Sequence, residues 1–254
     1  MLYVNPVKVT GFIIIALLSS LPAAGGGLPE QMPADFSIYL TQGGGMRPEG
    51  EHIYFSAEFG YFETYAHRKT SKLFFPVGTD ALRELYHTLK KNKFQAIGQK
   101  REKIHDRGGI SVQVTAGKKT ISKSDAGMTM IPEAARAQWR NIVEQIVMAK
   151  ERLITSGQAV TLALSDQYGQ HQHDITLFVG LRSVYHHRFG ADGPVDTRGD
   201  AEFFFLPGSY PLRIVVHGPQ IPQYDKSLNL KIPPAAKRVQ LLILPSAVSA
   251  EVDL

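Results

Sequence analysis

FFFLPGSYPLRIVV, residues 203–216, carries the densest strand signal in the chain. Aromatic and β-branched residues suit a pleated, half-buried surface, and Pro207-Gly208 between two apolar runs is a turn signal. The stretch reads as a hairpin in which Tyr210 lays its ring over a strand and keeps its hydroxyl at the edge of the layer. Working outward, the same signal recurs over 159–164, 174–179, 183–189, 201–206, 210–216, 227–232 and 238–244. Short strands at this density, with no helical periodicity after Ser156-Gly157, predict an antiparallel β-sandwich over 156–254.

The residues Phe203, Phe204, Phe205, Leu206, Pro207, Gly208, Tyr210, Leu212, Ile214 and Val216 resemble the strand, Leu-Pro-Gly-x-Tyr, strand hairpin of prealbumin-like and carboxypeptidase-regulatory-like domains. That resemblance implies a structural or binding module and carries no catalytic residue.

Upstream, strand signals at 36–41, 52–58, 61–67 and 72–75 precede a helix that opens near Thr79 and repeats Leu82, Leu85 and Leu89 at helical spacing. A strictly alternating hairpin follows at 110–115 and 119–122. A second helix, from about Glu133 to Leu153, presents Ala135, Trp139, Ile142, Val143 and Ile146 on one face. Short connections favour antiparallel neighbours. The expectation is therefore an α+β chain: an N-terminal antiparallel sheet covered by two helices over 34–155, then the antiparallel β-sandwich. Leu82, Leu85, Tyr86, Asn92, Phe94, the alternating hairpin and Trp139 make the first half similar to small uncharacterised bacterial exported domains. The features shared are structural.

Residues 11–21 form an apolar run ahead of Ala23, Ala24 and Gly25, which reads as a secretory signal peptide over 1–25 followed by a Gly/Pro linker over 26–33. Later apolar runs are too short to span a bilayer, so the mature chain is expected to be periplasmic or secreted, without a transmembrane segment. The 254 residues contain no cysteine, which excludes disulfides, thiolate nucleophiles and Cys-ligated metals. Hydrophobic residues make up 43% and charged residues 20%, a composition that can bury a core.

Charge is uneven. Residues 64–123 hold 14 Lys and Arg against 4 Asp and Glu, and the densest part contains Lys90, Lys91, Lys93, Lys100, Arg101, Lys103 and Arg107. These are the candidate ligand-binding residues, suited to an anionic glycan or lipid surface or to an envelope protein. Nucleic acid is not expected, because no stacking-aromatic module or helix-turn-helix accompanies the charge. His171, His173, His186 and His187 are candidate ligands for a transition metal, and no other cofactor is implied. Glu51, His52, Glu58 and Glu63 lie near Tyr54 and Tyr65, where a carboxylate pair could act on a glycan. Tyr54, Phe55, Phe59, Tyr61, Phe62 and Tyr65 are either sheet core or a sugar-stacking platform. No Gly-x-Ser-x-Gly, Ser-x-x-Lys, His-Glu-x-x-His, Rossmann or P-loop pattern occurs, so no catalytic residue is assigned. Three readings remain open. The first is a non-enzymatic exported protein binding an envelope protein or glycan; the others are a hydrolase with an interdomain site and a periplasmic metal-binding protein using the histidines.

Overall fold

Successive side chains of a strand point to opposite faces, and in this protein both faces of one sheet are covered. The computed structural model describes residues 27–44, 49–66, 69–102, 107–155, 157–166, 173–190, 193–195, 201–218, 221–243 and 248–253. Strands β1 (Ser37–Gly43), β2 (Glu49–Phe55), β3 (Gly60–Ala66) and β4 (Lys69–Phe75) form an antiparallel meander. Leu40, Ile53, Phe62 and Leu73 are register partners across it, and their face receives the helices α1 (Thr79–Lys91) and α2 (Glu133–Ile154). Leu82, Leu85 and Leu89 of α1 and Trp139, Ile142 and Ile146 of α2 fill this first core. Between the helices lie a 3-10 turn (Phe94–Ala96), β5 (Lys100–Arg101), β6 (Gly109–Ala116), β7 (Lys119–Asp125) and β8 (Thr129–Met130).

The remaining strands are β9 (Val160–Asp166), β10 (His173–Val179), β11 (Arg182–Gly190), β12 (Gly193–Val195), β13 (Ala201–Phe205), β14 (Gly208–Gly218), β15 (Ile221–Ile232), β16 (Arg238–Ile243) and β17 (Val248–Asp253). They do not make a separate sandwich. A ten-stranded mixed sheet runs in the order β17-β16-β9-β13-β4-β3-β2-β1-β6-β7, and a five-stranded sheet, β12-β11-β10-β14-β15, lies against its other face. The second core, between the sheets, combines Phe59, Tyr61 and Phe74 from the first half with Phe203, Phe205, Leu177, Ile214 and Leu241 from the second.

The expected α+β class is thereby corrected: seventeen strands against two α-helices among the described residues make a mostly-β molecule organised by one large sheet. The joint is β13, which runs parallel to β4 with Phe205 opposite Phe74, and the Leu206 N–H donates to the Phe74 carbonyl at 2.9 Å. Without β13, β4 would present an unpaired edge. Short loops argue for antiparallel neighbours, but they carry no information about a pairing between strands so distant in sequence.

The expected hairpin at Pro207-Gly208 is corrected for the same reason. β13 belongs to the large sheet and β14 to the small one, so Pro207-Gly208 carries the chain from one layer to the other. Tyr210 secures the crossing. Its side chain is 0% exposed, and its hydroxyl donates to the Leu206 carbonyl at 2.7 Å, with the Phe74 carbonyl at 3.3 Å. Burial pushes this phenol well above the usual tyrosine range.

Candidate functional site on the sheet face

The face of the large sheet opposite the helices changes character along its width. Around Tyr61 of β3 and Phe74 of β4 it is apolar and lies beneath the five-stranded sheet. Two residues further along the strands it becomes ionic, and toward β2 and β1 it is lined by aromatic rings. Tyr39, Tyr54, Tyr61 and Phe74 are register partners in one cross-strand row, and Thr41, His52, Glu63 and Lys72 are partners in the next. Period-two alternation puts both rows on this face, because Ile38, Leu40, Ile53 and Phe55 occupy the other.

In the ionic row, Glu63 Oε2 lies 3.6 Å from His52 Nδ1 and 3.5 Å from Lys72 Nζ. Burial works against the Glu63 carboxylate, yet the His52 hydrogen bond and the Lys72 charge outweigh it and hold the carboxyl below its ordinary range. Lys72 also reaches across the layers and donates to the Val184 carbonyl on β11 at 2.7 Å. The His52 ring is set between Tyr39 and Tyr65, with centroid separations of 5.5 and 5.3 Å.

The aromatic row is closed from above by Arg182, the first residue of β11. Its guanidinium carbon sits 4.3 Å from the Tyr39 ring centroid, 4.8 Å from Tyr54 and 5.3 Å from Tyr61. Cation–π attraction strengthens where water is excluded, so three rings around one guanidinium make a strong seat for the β10–β11 hairpin. Burial raises the Tyr39 phenol above its ordinary range, with the Arg182 charge opposing; burial raises that of Tyr61 further. At the hairpin tip, Gly180 adopts φ +58° and Leu181 is 92% exposed. A cavity of about 360 Å³ opens beside it, lined by Ser37, Tyr54, Ser56, Glu58, Leu181 and Arg182 among others.

Beyond β1, at Gln113 of β6 and at Thr120 and Ser122 of β7, this face is exposed among the described residues. Val112, Val114 and Ala116 of β6 are buried beneath the helices, so Ser111, Gln113 and Thr115 point the other way. On β7, Thr120, Ser122 and Ser124 are their register partners. The hydroxyls pair across the strands, Ser111 with Ser124 at 2.7 Å and Thr115 with Thr120 at 3.2 Å, while Gln113, Thr120 and Ser122 are exposed. The result is an uncharged floor of hydroxyls and one amide, bounded on its β2 side by the Tyr39–His52–Tyr65 rings and Arg182.

The residues singled out in the sequence fare differently. Glu51 and Glu63 are on adjacent strands but opposite faces, so they form no carboxylate pair; Glu58 lies in the loop before β3. The aromatic list divides by face: Tyr54, Tyr61 and Tyr65 belong to the site side, while Phe55 and Phe62 pack under the helices. Lys90 is committed to Glu30, donating to its carbonyl at 2.9 Å. Arg107 is also occupied within the fold, bonding Asp125 at 3.2 Å and the Thr129 carbonyl. Lys91, Lys93, Lys100 and Arg101 are exposed, and Lys103 lies outside the described residues. His171 lies outside them too. His173 is opposite Phe189 in the β10–β11 pair, His186 opposite Thr176 and His187 opposite Ile175. Among the described residues no three His, Asp or Glu side chains form a metal-holding group, and no helix is long and apolar enough to cross a membrane.

Arg182, the centre of the site, had no motif to announce it: in sequence it is a lone arginine after Gly180-Leu181. No protein-family model matches the chain, and no curated protein matches it in sequence.

Proposed function

We propose that this is an exported, non-enzymatic binding protein whose ligand is a glycan lying on the face of β6 and β7 that the described residues leave exposed. The carrying observation is the chemistry of that floor and its border. Sugars present hydroxyls that exchange hydrogen bonds with Ser, Thr and Gln, and faces of C–H groups that rest on aromatic rings. Gln113, Thr120 and Ser122 supply the first kind of contact, and Tyr39, His52 and Tyr65 offer the second at one side. The absence of charge on the floor favours a neutral polyol over an ionic partner, and the β10–β11 hairpin rises beside it as a wall that would align an extended saccharide.

Calorimetric titration with neutral oligosaccharides released from bacterial envelopes tests the reading. Gln113→Ala and Ser122→Ala together should weaken binding about tenfold, the loss of one to two net hydrogen bonds, with the melting temperature unchanged. Binding that ignores both substitutions, or none to any neutral fraction, removes the glycan from the face.

A further inference from the structure

The cavity of about 360 Å³ beside the β10–β11 hairpin tip is walled by the turn 56–59 on one side and by Leu181 and Arg182 on the other. That turn is tied to itself. The Ser56 N–H and hydroxyl both donate to the Phe59 carbonyl, at 3.0 and 2.9 Å, and the Glu58 and Phe59 N–H groups donate to Ser56 Oγ at 3.3 Å. Glu58 is thereby held against the hairpin. A Cβ at Gly180 would stand 2.1 Å from Glu58 Oε2, so the carboxylate reaches the tip only because residue 180 is glycine. The cavity joins the floor at Ser37, whose register partner on β6 is Thr115, itself opposite Thr120 on β7. A saccharide on the floor can therefore extend one unit into it, and a volume at the lower end of the range for ligand pockets suits a single pyranose ring.

Three kinds of group meet in this cavity. Arg182 supplies N–H donors: rings crowd its guanidinium, and it has no carboxylate partner among the described residues. Glu58 supplies an acceptor, since its exposed carboxylate takes no hydrogen bond or ion pair from another described residue. Leu181 and the Tyr54 ring supply an apolar wall. Asp35, the remaining charged group of the lining, is already engaged, its two oxygens accepting the Gly117 and Lys118 N–H groups at 2.8 and 2.6 Å.

We infer that this cavity takes the acetamido-bearing ring of an N-acetylhexosamine, an assignment that rests on the glycan reading and names its saccharide. One available guanidinium and one available carboxylate decide among the substituents a sugar can carry. The carboxylate of a uronic acid would face Glu58, and the ammonium of an unacylated amino sugar would face Arg182, so each meets a like charge at close range. An acetamido group offers a carbonyl oxygen to Arg182, an N–H to Glu58 and a methyl to Leu181 and Tyr54, with no charge of its own to desolvate. Both hydrogen bonds have an ionised protein partner, the stronger kind.

Calorimetric titration of the full chain tests it with chitotetraose, the tetramer of N-acetylglucosamine, and cellotetraose, the equally linked tetramer of glucose. The two differ only in the acetamido group. Chitotetraose should bind at least about tenfold more tightly, and its fully de-N-acetylated form no better than cellotetraose. Glu58→Ala should reduce the preference for chitotetraose to less than about threefold, the loss of one charge-assisted hydrogen bond. The comparison of tetramers requires no variant, so a folding defect in this one leaves the test intact. Equal binding of the two tetramers, or a full preference that survives Glu58→Ala, overturns the assignment of the cavity while the glycan on the floor stands. Binding of neither tetramer overturns it as well, and the glycan reading is then decided separately by the envelope oligosaccharides and the Gln113 and Ser122 substitutions.

Discussion

Replacing Tyr210 by Phe removes one oxygen atom from the place where the chain crosses between layers. The ring stays, with its edge against Phe205 at a centroid distance of 4.9 Å, so little apolar contact is lost. What disappears is a donor to Leu206 O at 2.7 Å in a fully buried setting. Phe74 O, the second neighbour at 3.3 Å, keeps the Leu206 N–H and remains paired. The cost is therefore one hydrogen bond plus a partly orphaned carbonyl, about 2 kcal/mol. For a domain of this size that corresponds to a fall in melting temperature of about 4–8 °C. Urea unfolding with matched slopes measures the same difference isothermally. Ultraviolet titration adds a second readout: because burial raises the Tyr210 phenol, this group should ionise only as the protein unfolds in alkali. Its contribution is complete below the unfolded tyrosine value and declines as pH rises beyond it. A Tyr210→Phe protein within about 0.5 kcal/mol of the parent would refute the claim that this hydroxyl secures the crossing.

Three further substitutions address charge and turn geometry. Glu63 is held below its ordinary range, so the stability it confers is present above the unfolded value near 4.5 and is lost as pH falls through the folded one. Glu63→Gln should accordingly be less stable than the parent at neutral pH and converge with it in acid; a gap that widens toward acid contradicts the His52–Glu63–Lys72 assignment. At the β6–β7 turn, Lys118 occupies the left-handed region at φ +64°, so Lys118→Gly should raise stability by about 0.5–1 kcal/mol in chemical denaturation. Asp35→Ala should lower it, through the same turn, by freeing the two N–H groups; the Asp35 contribution also fades as pH falls, because those hydrogen bonds depress its carboxyl. A neutral result for both would show that the turn is not under the strain its backbone angles describe.

The elements of this fold were far more legible than their partners. Period-two and helical spacing located α1, α2 and the main strands within a few residues, because local burial writes itself into local pattern. The imperfect alternation of residues 52–57 was itself informative: Ile53 and Phe55 face one core while Tyr54 borders the other, so both faces carry large side chains. No periodicity encodes which distant strand will neighbour β4, and that single pairing joins strands from both halves of the chain in one sheet. The site followed the same rule. Its aromatic residues were visible as a cluster, but the row containing Thr41, His52, Glu63 and Lys72 exists only once four strands are in register. The basic interval was visible too, yet Lys90 and Arg107 turned out to serve the fold, and Arg182 lay in a stretch with no charge pattern to mark it.

The insertion of β13 between β4 and β9 has a consequence for the order in which the molecule can assemble. The β1–β4 meander and the β6–β7 hairpin use neighbouring chain and can form early. β9 follows α2 in sequence but its antiparallel neighbour is β13, and its parallel neighbour β16 comes later still. So β9 must wait for chain that is synthesised after it, and sheet growth past β4 proceeds out of sequence order. During that interval β4 is an open edge, with Phe74 and Tyr61 lacking the layer that will bury them. A chain arrested before Ala201 should therefore be a sticky intermediate, and whatever escorts this protein during synthesis has most reason to hold the strand Lys69–Phe75 until its late partner arrives.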